Sequence, residues 1–357
     1  MTISLDQAVV YDEECFPNLW TFHVESLYHD DKRVYEISEF RDDRHELRQL
    51  LNWLNQNQIP MIGFNNIGYD LPMLDMLWRN PQITYQEMYA KNQAIIGGSY
   101  EDRFAHTIWP RDWLAPQIDL MAINRFNTPS KATSLKALQC AMRAKSVLES
   151  TVPFGVPVTA DQVASDVIPY GTHDVSETKR FALYSLDAIN FRISMIEQYG
   201  VDCLCWDDVK IGAQMLIQQL GDELCYDRSS GRKVARQTIR TRIPVSDIIF
   251  PYISFQNAEL QRVLNFMNGV VLSHSDMSKE AGKDEESPLT IEAEVGGVTL
   301  RFGSGGVHGS VKSKRFVAGN GWTIEDDDVA GMYPALSNVN KLAPEHPGEP
   351  FVAVYAS

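Results

Sequence analysis

The chain has 357 residues, enough for two or three domains, and 44% of them are apolar, so a sizeable core can be buried. Its 47 acidic residues outnumber 32 basic ones, and the net charge of −15 argues against tight nonspecific binding to a polyanion, since nucleic-acid affinity comes largely from Lys and Arg neutralising phosphates. The five cysteines, Cys15, Cys140, Cys203, Cys205 and Cys225, form no C-x-x-C pair and read as free thiols of a reducing cytoplasm, while no leader or long apolar run points to secretion or a membrane.

Residues 7–11 and 20–26 read as strands separated by the turn Phe16-Pro17-Asn18, and 33–38 as a third strand. Leu47, Leu50, Leu51 and Leu54 recur with the spacing of one helix face, which predicts an amphipathic helix. "IPMIGFNN" predicts a short strand ending in polar residues, and a helix is expected to begin within "YDLPMLDML". That alternation predicts an α/β fold, a mixed sheet flanked by helices. A capped helix is expected over 133–145. A long one is expected over about 173–199, its stripe of Phe181, Leu186, Ile189, Ile193 and Ile196 closed by Gly200. Beyond it, 208–220 and 255–268 read as helices, 226–245 as a basic and polar stretch, and 274–288 as a mobile surface loop. "LTIEAEVGGVTLRFG" predicts a hairpin turning at Gly296-Gly297.

Acidic residues stand in a pattern that composition does not explain. Asp12 and Glu14, in "VVYDEECFPN", are two positions apart, so on an extended backbone they point to the same side. Like charges placed so repel unless a cation lies between them. "NNIGYD" puts Asp70 at a strand-to-helix junction, behind Asn65 and Asn66. "YGTHD" puts Tyr170 one helical turn before Asp174, which brings a phenol and a carboxylate to one side. Oxygen donors without sulfur or a His pair favour Mg²⁺ or Mn²⁺ over zinc. Singly, each of these residues is a common surface acid, helix cap or core tyrosine. The ordered set carries the reading.

That set resembles the three exonuclease motifs of the proofreading domains of DNA polymerases, in the four-carboxylate form whose helper is tyrosine. D-x-E is matched by Asp12-Glu13-Glu14, N-x(2–3)-F/Y-D by Asn66-Ile67-Gly68-Tyr69-Asp70, and Y-x(3)-D by Tyr170 and Asp174. A sister form carries His five residues before the last Asp, where this chain has Pro169. The resemblance implies an RNase H-like exonuclease domain over 1–200 and 3′→5′ hydrolysis of DNA with two Mg²⁺ or Mn²⁺ ions. By that likeness Asp12 would bridge both ions, Glu14 and Asp174 would complete one, and Asp70 would hold the second. Tyr170 would orient the attacking water, and Asn66 and Tyr69 would meet the DNA. Asp119, in "QIDLMAIN", is a further candidate.

"EDDDVAGMYPALSN" resembles motif A of family B DNA polymerases, D-x-x-S-L-Y-P, with Gly331 standing for Ser and Met332 for Leu. The match implies Asp328 as a palm metal ligand and Tyr333 as the ring beneath the nucleotide sugar. "GSGGVHG" resembles the Gly-Gly element that precedes the palm, where bare backbone at Gly305 and Gly306 can approach the template strand. The family's later K-x(3)-N-x(2)-Y-G helix and D-T-D hairpin do not occur. The expected organisation is therefore the exonuclease domain, a connecting mixed α+β region over 201–300, and an incomplete palm over 301–357. No polymerisation is expected from this chain alone. Implied partners are the single-stranded 3′ end of a primer-template and a C-terminal polymerase fragment or the remainder of the same chain. The expected location is the cytoplasm of a bacterium or a virus-infected cell. A non-catalytic assembly subunit and a stand-alone RNase of the same fold are the competing expectations.

Overall fold

Strand β1 (Val9–Phe16) runs past Tyr11, where the apolar pattern predicts its end, so Asp12, Glu13 and Glu14 lie within it. Acidic side chains break a hydrophobic run without breaking a backbone ladder. β1 pairs antiparallel with β2 (Leu19–Ser26), with Asp12 opposite His23 and Glu14 opposite Thr21. The turn is Pro17-Asn18, and the Asn18 amide exchanges two 2.8 Å hydrogen bonds with the backbone of Val158. The computed structural model describes residues 3–99, 104–273 and 287–355; of the loop expected over 274–288, residues 274–286 lie outside the described residues.

A five-stranded sheet has the order β3-β2-β1-β4-β5, completed by β3 (Lys32–Ser38), β4 (Met61–Gly63) and β5 (Gln117–Asp119). β2 is antiparallel to both neighbours, whereas β4 is parallel to β1 and β5, so the sheet is mixed. Tyr11, Trp20 and Phe22 pack with Leu47, Leu51 and Leu54 of α1 (Arg44–Asn57), Leu74 of α2 (Asp70–Arg79) and Met88 of α3 (Tyr85–Ile96). The next residues along each strand point oppositely. Val10, Ile62 and Ile118 pack with Ile123 of α4 (Leu120–Ile123) and Leu138 of α5 (Leu135–Ala141). The same cluster takes in Phe181 of α7 (Ile168–Tyr184) and Ile189 of α8 (Leu186–Tyr199), α6 being the single turn Ala160–Gln162. Helices therefore cover both faces, and β1 is central and buried on each side.

The helix expected over 173–199 is two helices. α7 begins earlier, because α6 feeds it through a π turn at Val163–Val167. The widened turn accommodates Pro169, which has no N–H to donate and whose ring would crowd the carbonyl four residues back. Ser185 separates α7 from α8, and Gly200 ends α8 at a φ of 66°. The helix expected over 133–145 contracts to α5, capped by Ser134, whose hydroxyl accepts from the Ala137 amide.

The chain divides into two units, Met1–Ala213 and Gln214–Ser357. α9 (Asp208–Leu220) is followed by α10 (Asp222–Cys225) and two short strand pairs. These are β6 (Tyr226–Asp227) with β7 (Val234–Ala235), and β8 (Arg242–Pro244) with β9 (Val271–Ser273). α11 (Ala258–Asn268) precedes a meander of β10 (Ile291–Val295), β11 (Val298–Gly303) and β12 (Gly306–Ser310). Its first turn is at Gly296-Gly297, both at positive φ, 60° and 82°, as a two-residue type I′ turn requires. α12 (Met332–Asn340) and α13 (Glu349–Tyr355) follow. No described helix is long and apolar enough to cross a membrane.

Candidate metal centre

Alternation along β1 decides where its acids go. Val10 faces α7, so Asp12 and Glu14 share that side, and α7 presents Asp174 to them. One carboxylate oxygen from each of Asp12, Glu14 and Asp174 lies within 4.8 Å of the others. Glu14 and Asp174 are buried and Asp12 is half-buried. Among the described residues no other group of acids, imidazoles or thiols converges in this way.

Asp70 stands beside them without joining that triad. It is the first residue of α2, is 3% exposed, and lies within hydrogen-bonding reach of Asp12. Its Oδ1 is buried with no hydrogen-bond partner. A buried, unpartnered carboxylate oxygen on a residue that feels the charges of Asp12 and Glu14 fits a nearby cation, because burial without a partner is costly. The donor set is hard oxygen throughout, which suits Mg²⁺ or Mn²⁺.

The electrostatics agree. Burial, and then the charge of Asp174, raises the Asp12 carboxyl from 3.8 to about 7. Glu14 is pushed well above the carboxylate range by burial, then by Asp12, Asp174 and Asp70, and only Lys136 opposes this. Asp70 is raised by burial and by Asp12. Four acids in one place cannot all ionise without a counter-charge.

Tyr170 sits on α7 one turn before Asp174, half-buried, and burial followed by the Asp174 charge holds its phenol protonated. Lys136 of α5 lies over its ring, 5.2 Å from the centroid, and is paired with Glu149. One turn along α5, Gln139 is buried and its Nε2 donates to Asp174 Oδ1 at 3.1 Å. His173 bridges from the same Oδ1, at 3.4 Å, to the Ser146 carbonyl at 3.2 Å. Lys136, Gln139 and His173 were not singled out by sequence reasoning. The only local signal for the first two was their shared face on the helix expected at 133–145.

The loop before α2 is fixed from beneath. Asn66 is buried, and its Nδ2 donates to the Tyr11 hydroxyl and to Gln117 Oε1, each at 3.1 Å. Its amide nitrogen is thus spent on the protein interior, while its Oδ1 is buried without a partner. Gly63 is required beneath it, since a Cβ there would meet Asn66 Cβ at 2.6 Å. Asp119 also serves this loop: its carboxylate accepts from the amides of Asn65, Ile67, Met121 and Ala122 at 2.9–3.4 Å. Tyr69 is half-buried and donates its hydroxyl to Asn92 Oδ1 at 2.8 Å. Opposite the metal side of β1, Glu13 is a buried acid with Oε2 accepting from Trp20 Nε1 at 3.0 Å and Oε1 unpartnered.

In the second unit Asp328 is exposed, just before α12, and joins no ligand cluster among the described residues. Tyr333, in the first turn of α12, is 68% exposed. Gly305, with Ser304, forms the turn between β11 and β12 and Gly306 begins β12, with nothing within 4 Å of a Cβ at either glycine.

No protein-family model matches the chain, and no curated protein matches it. Among solved structures, the family B DNA polymerase from the hyperthermophilic archaeon Pyrobaculum calidifontis is similar at 14% identity, with a TM-score of 0.35. The likeness covers 56% of this chain and 26% of the polymerase, so the chain spans about a quarter of that protein.

Proposed function

We propose that the first unit is a metal-dependent 3′→5′ exonuclease of RNase H-like fold acting on DNA, and that the chain is the N-terminal part of a family B DNA polymerase. The observation that carries this reading is the meeting of Asp12 and Glu14 with Asp174, more than 150 residues away, around one point. The sheet, with β2 as its sole antiparallel strand, supports the fold assignment. Asp12, Glu14 and Asp174 would hold one Mg²⁺ or Mn²⁺, and Asp70, with its unpartnered oxygen, would contribute to a second. Bound there, the metal supplies Lewis-acid stabilisation of phosphoryl charge and lowers the pKa of the attacking water. Gln139 keeps Asp174 in its ligating rotamer, and Tyr170 donates from its phenol toward the water or the scissile phosphate. Lys136 adds positive charge beside Glu14. Asp328, Tyr333, Gly305 and Gly306 belong to the polymerase part of the proposal, as do the connecting region 201–300 and the palm region 301–357.

The test is incubation of the chain with 5′-labelled single-stranded DNA and Mn²⁺ or Mg²⁺, alongside RNA of the same sequence. Stepwise shortening from the 3′ end, lost in EDTA and in Asp12→Ala, is expected. Undiminished hydrolysis by Asp12→Ala would reject the site.

A further inference from the structure

The acidic chain contains one strongly basic stretch. Between Tyr226 and Val245 there are six cations, Arg228, Arg232, Lys233, Arg236, Arg240 and Arg242, against a single acid, Asp227. The structure sorts them by partner. Arg228 and Lys233 share Asp222, at 2.8 and 3.0 Å, and Arg240 pairs with Glu345 at 2.5 Å. Arg232, Arg236 and Arg242 make no direct ion pair with the described residues, although the Arg236 charge is felt by Asp227, and all three are exposed. Of these three, Arg236 lines a cavity of about 540 Å³, whose wall also includes Ile239, Arg240, Ile243, His346 and Glu345, the partner of Arg240. Ile239 is 73% exposed there.

We propose that this surface of the second unit, centred on Arg232, Arg236 and Arg242, binds the phosphodiester backbone of single-stranded nucleic acid. Exposed cations concentrated in one short stretch of a chain of net charge −15 repel one another, and a polyanion removes that cost. Five of the six cations are arginine, whose planar fork matches phosphate oxygens two at a time, whereas lysine acts as a point charge. The cavity, with Ile239 and Ile243 among its apolar lining, is of a size that admits a nucleotide's base and sugar while Arg236 meets the phosphate. An acidic protein surface would use the same charges but would not need this concavity. The choice of nucleic acid as the probe rests on the exonuclease reading, but the measurement does not depend on catalysis.

The experiment measures binding of a fluorescent single-stranded oligonucleotide to the whole chain in EDTA across a salt series. Each phosphate neutralised on a single strand contributes about 0.7 to the slope of log K against log salt, so Arg232→Ala/Arg236→Ala/Arg242→Ala should reduce it by about 2. Over a fourfold change in salt, that difference is about 20-fold in affinity. Mn²⁺-dependent hydrolysis of a dinucleotide, too short to need this surface, should be unchanged in the triple variant. That arm separates failure of this proposal from failure of the exonuclease assignment. In the unaltered chain, the oligonucleotide should also protect the arginines from trypsin. An unchanged slope, absent protection, or equal loss of dinucleotide hydrolysis and oligonucleotide binding would each overturn the proposal.

Discussion

Asp12→Asn should stabilise the metal-free protein at pH 8 while abolishing its response to metal. In the unfolded chain the Asp12 carboxyl loses its proton near 3.8, but in the fold burial and Asp174 raise it to about 7. The folded state thus holds a proton that the unfolded chain has released, and between those values stability falls as pH rises, by about 1.4 kcal/mol per pH unit. By pH 8 the full gap of about three pH units corresponds to ~4 kcal/mol. Asp12 keeps some contact with solvent, which screens part of that, leaving about 2–4 kcal/mol. Asparagine carries no charge to desolvate, and its amide oxygen can accept from protonated Asp70 as the Asp12 carboxylate does.

For a unit of 213 residues, each kcal/mol moves Tm by about 2–4 °C, so Asp12→Asn in EDTA at pH 8 should melt about 5–15 °C higher than the unaltered protein. The assay is thermal unfolding by circular dichroism between pH 4 and pH 8, with and without saturating Mn²⁺, following the transition that Mn²⁺ moves. The gap should shrink toward pH 4, where Asp12 is protonated in the fold. Mn²⁺ should raise Tm of the unaltered protein and leave Asp12→Asn nearly unmoved, because a ligand stabilises only the state that binds it. A variant that melts at or below the unaltered protein in EDTA at pH 8 refutes the account of repelling, desolvated carboxylates.

Two further substitutions probe the supports of the site. Gln139→Ala removes the donor to Asp174 and should raise the Mn²⁺ concentration for half-maximal hydrolysis about 10–100-fold, with turnover at saturating metal largely kept; an unchanged Mn²⁺ requirement would show that Asp174 is held by other means. Gly171→Ala places a Cβ 2.5–2.8 Å from three atoms of the buried His23 ring, where β2 meets α7. Overpacking of this kind costs about 1–3 kcal/mol, and pushing α7 outward carries Asp174 away from Asp12, so stability and metal response should both fall. His23→Ala added to Gly171→Ala should recover part of both losses, and strict additivity in that cycle would exclude the clash as the cause.

The broad architecture was legible because periodicity reports burial. The leucine spacing marks α1, and the run before Asn66 marks β4. What periodicity could not show was any element whose pattern serves chemistry or tertiary fit. β1 was cut short because three acids occupy its middle, though its ladder to β2 is unbroken. The early start of α7 and the break at Ser185 answer to Pro169 and to packing, which no local pattern carries. α3 does carry a local signal, the reciprocal cap between Thr84 and Glu87. β5 is only three residues long and buried throughout, too short for any period to register.

The site divides along the same line. Asp12, Glu14 and Asp174, which the fold brings together, could be picked out because carboxylates in ordered, closely spaced motifs leave a mark in sequence. Gln139, Lys136 and His173 could not, since a supporting contact asks only for a donor that reaches, and many residues at many positions satisfy that. Asn66 shows the converse. Its place in the motif suggested contact with DNA, yet it is buried on Tyr11 and Gln117, fixing the loop that delivers Asp70. A motif thus records which residues the site depends on without distinguishing those that touch the ligand from those that hold the backbone for them. That distinction comes from burial and from where each donor is spent.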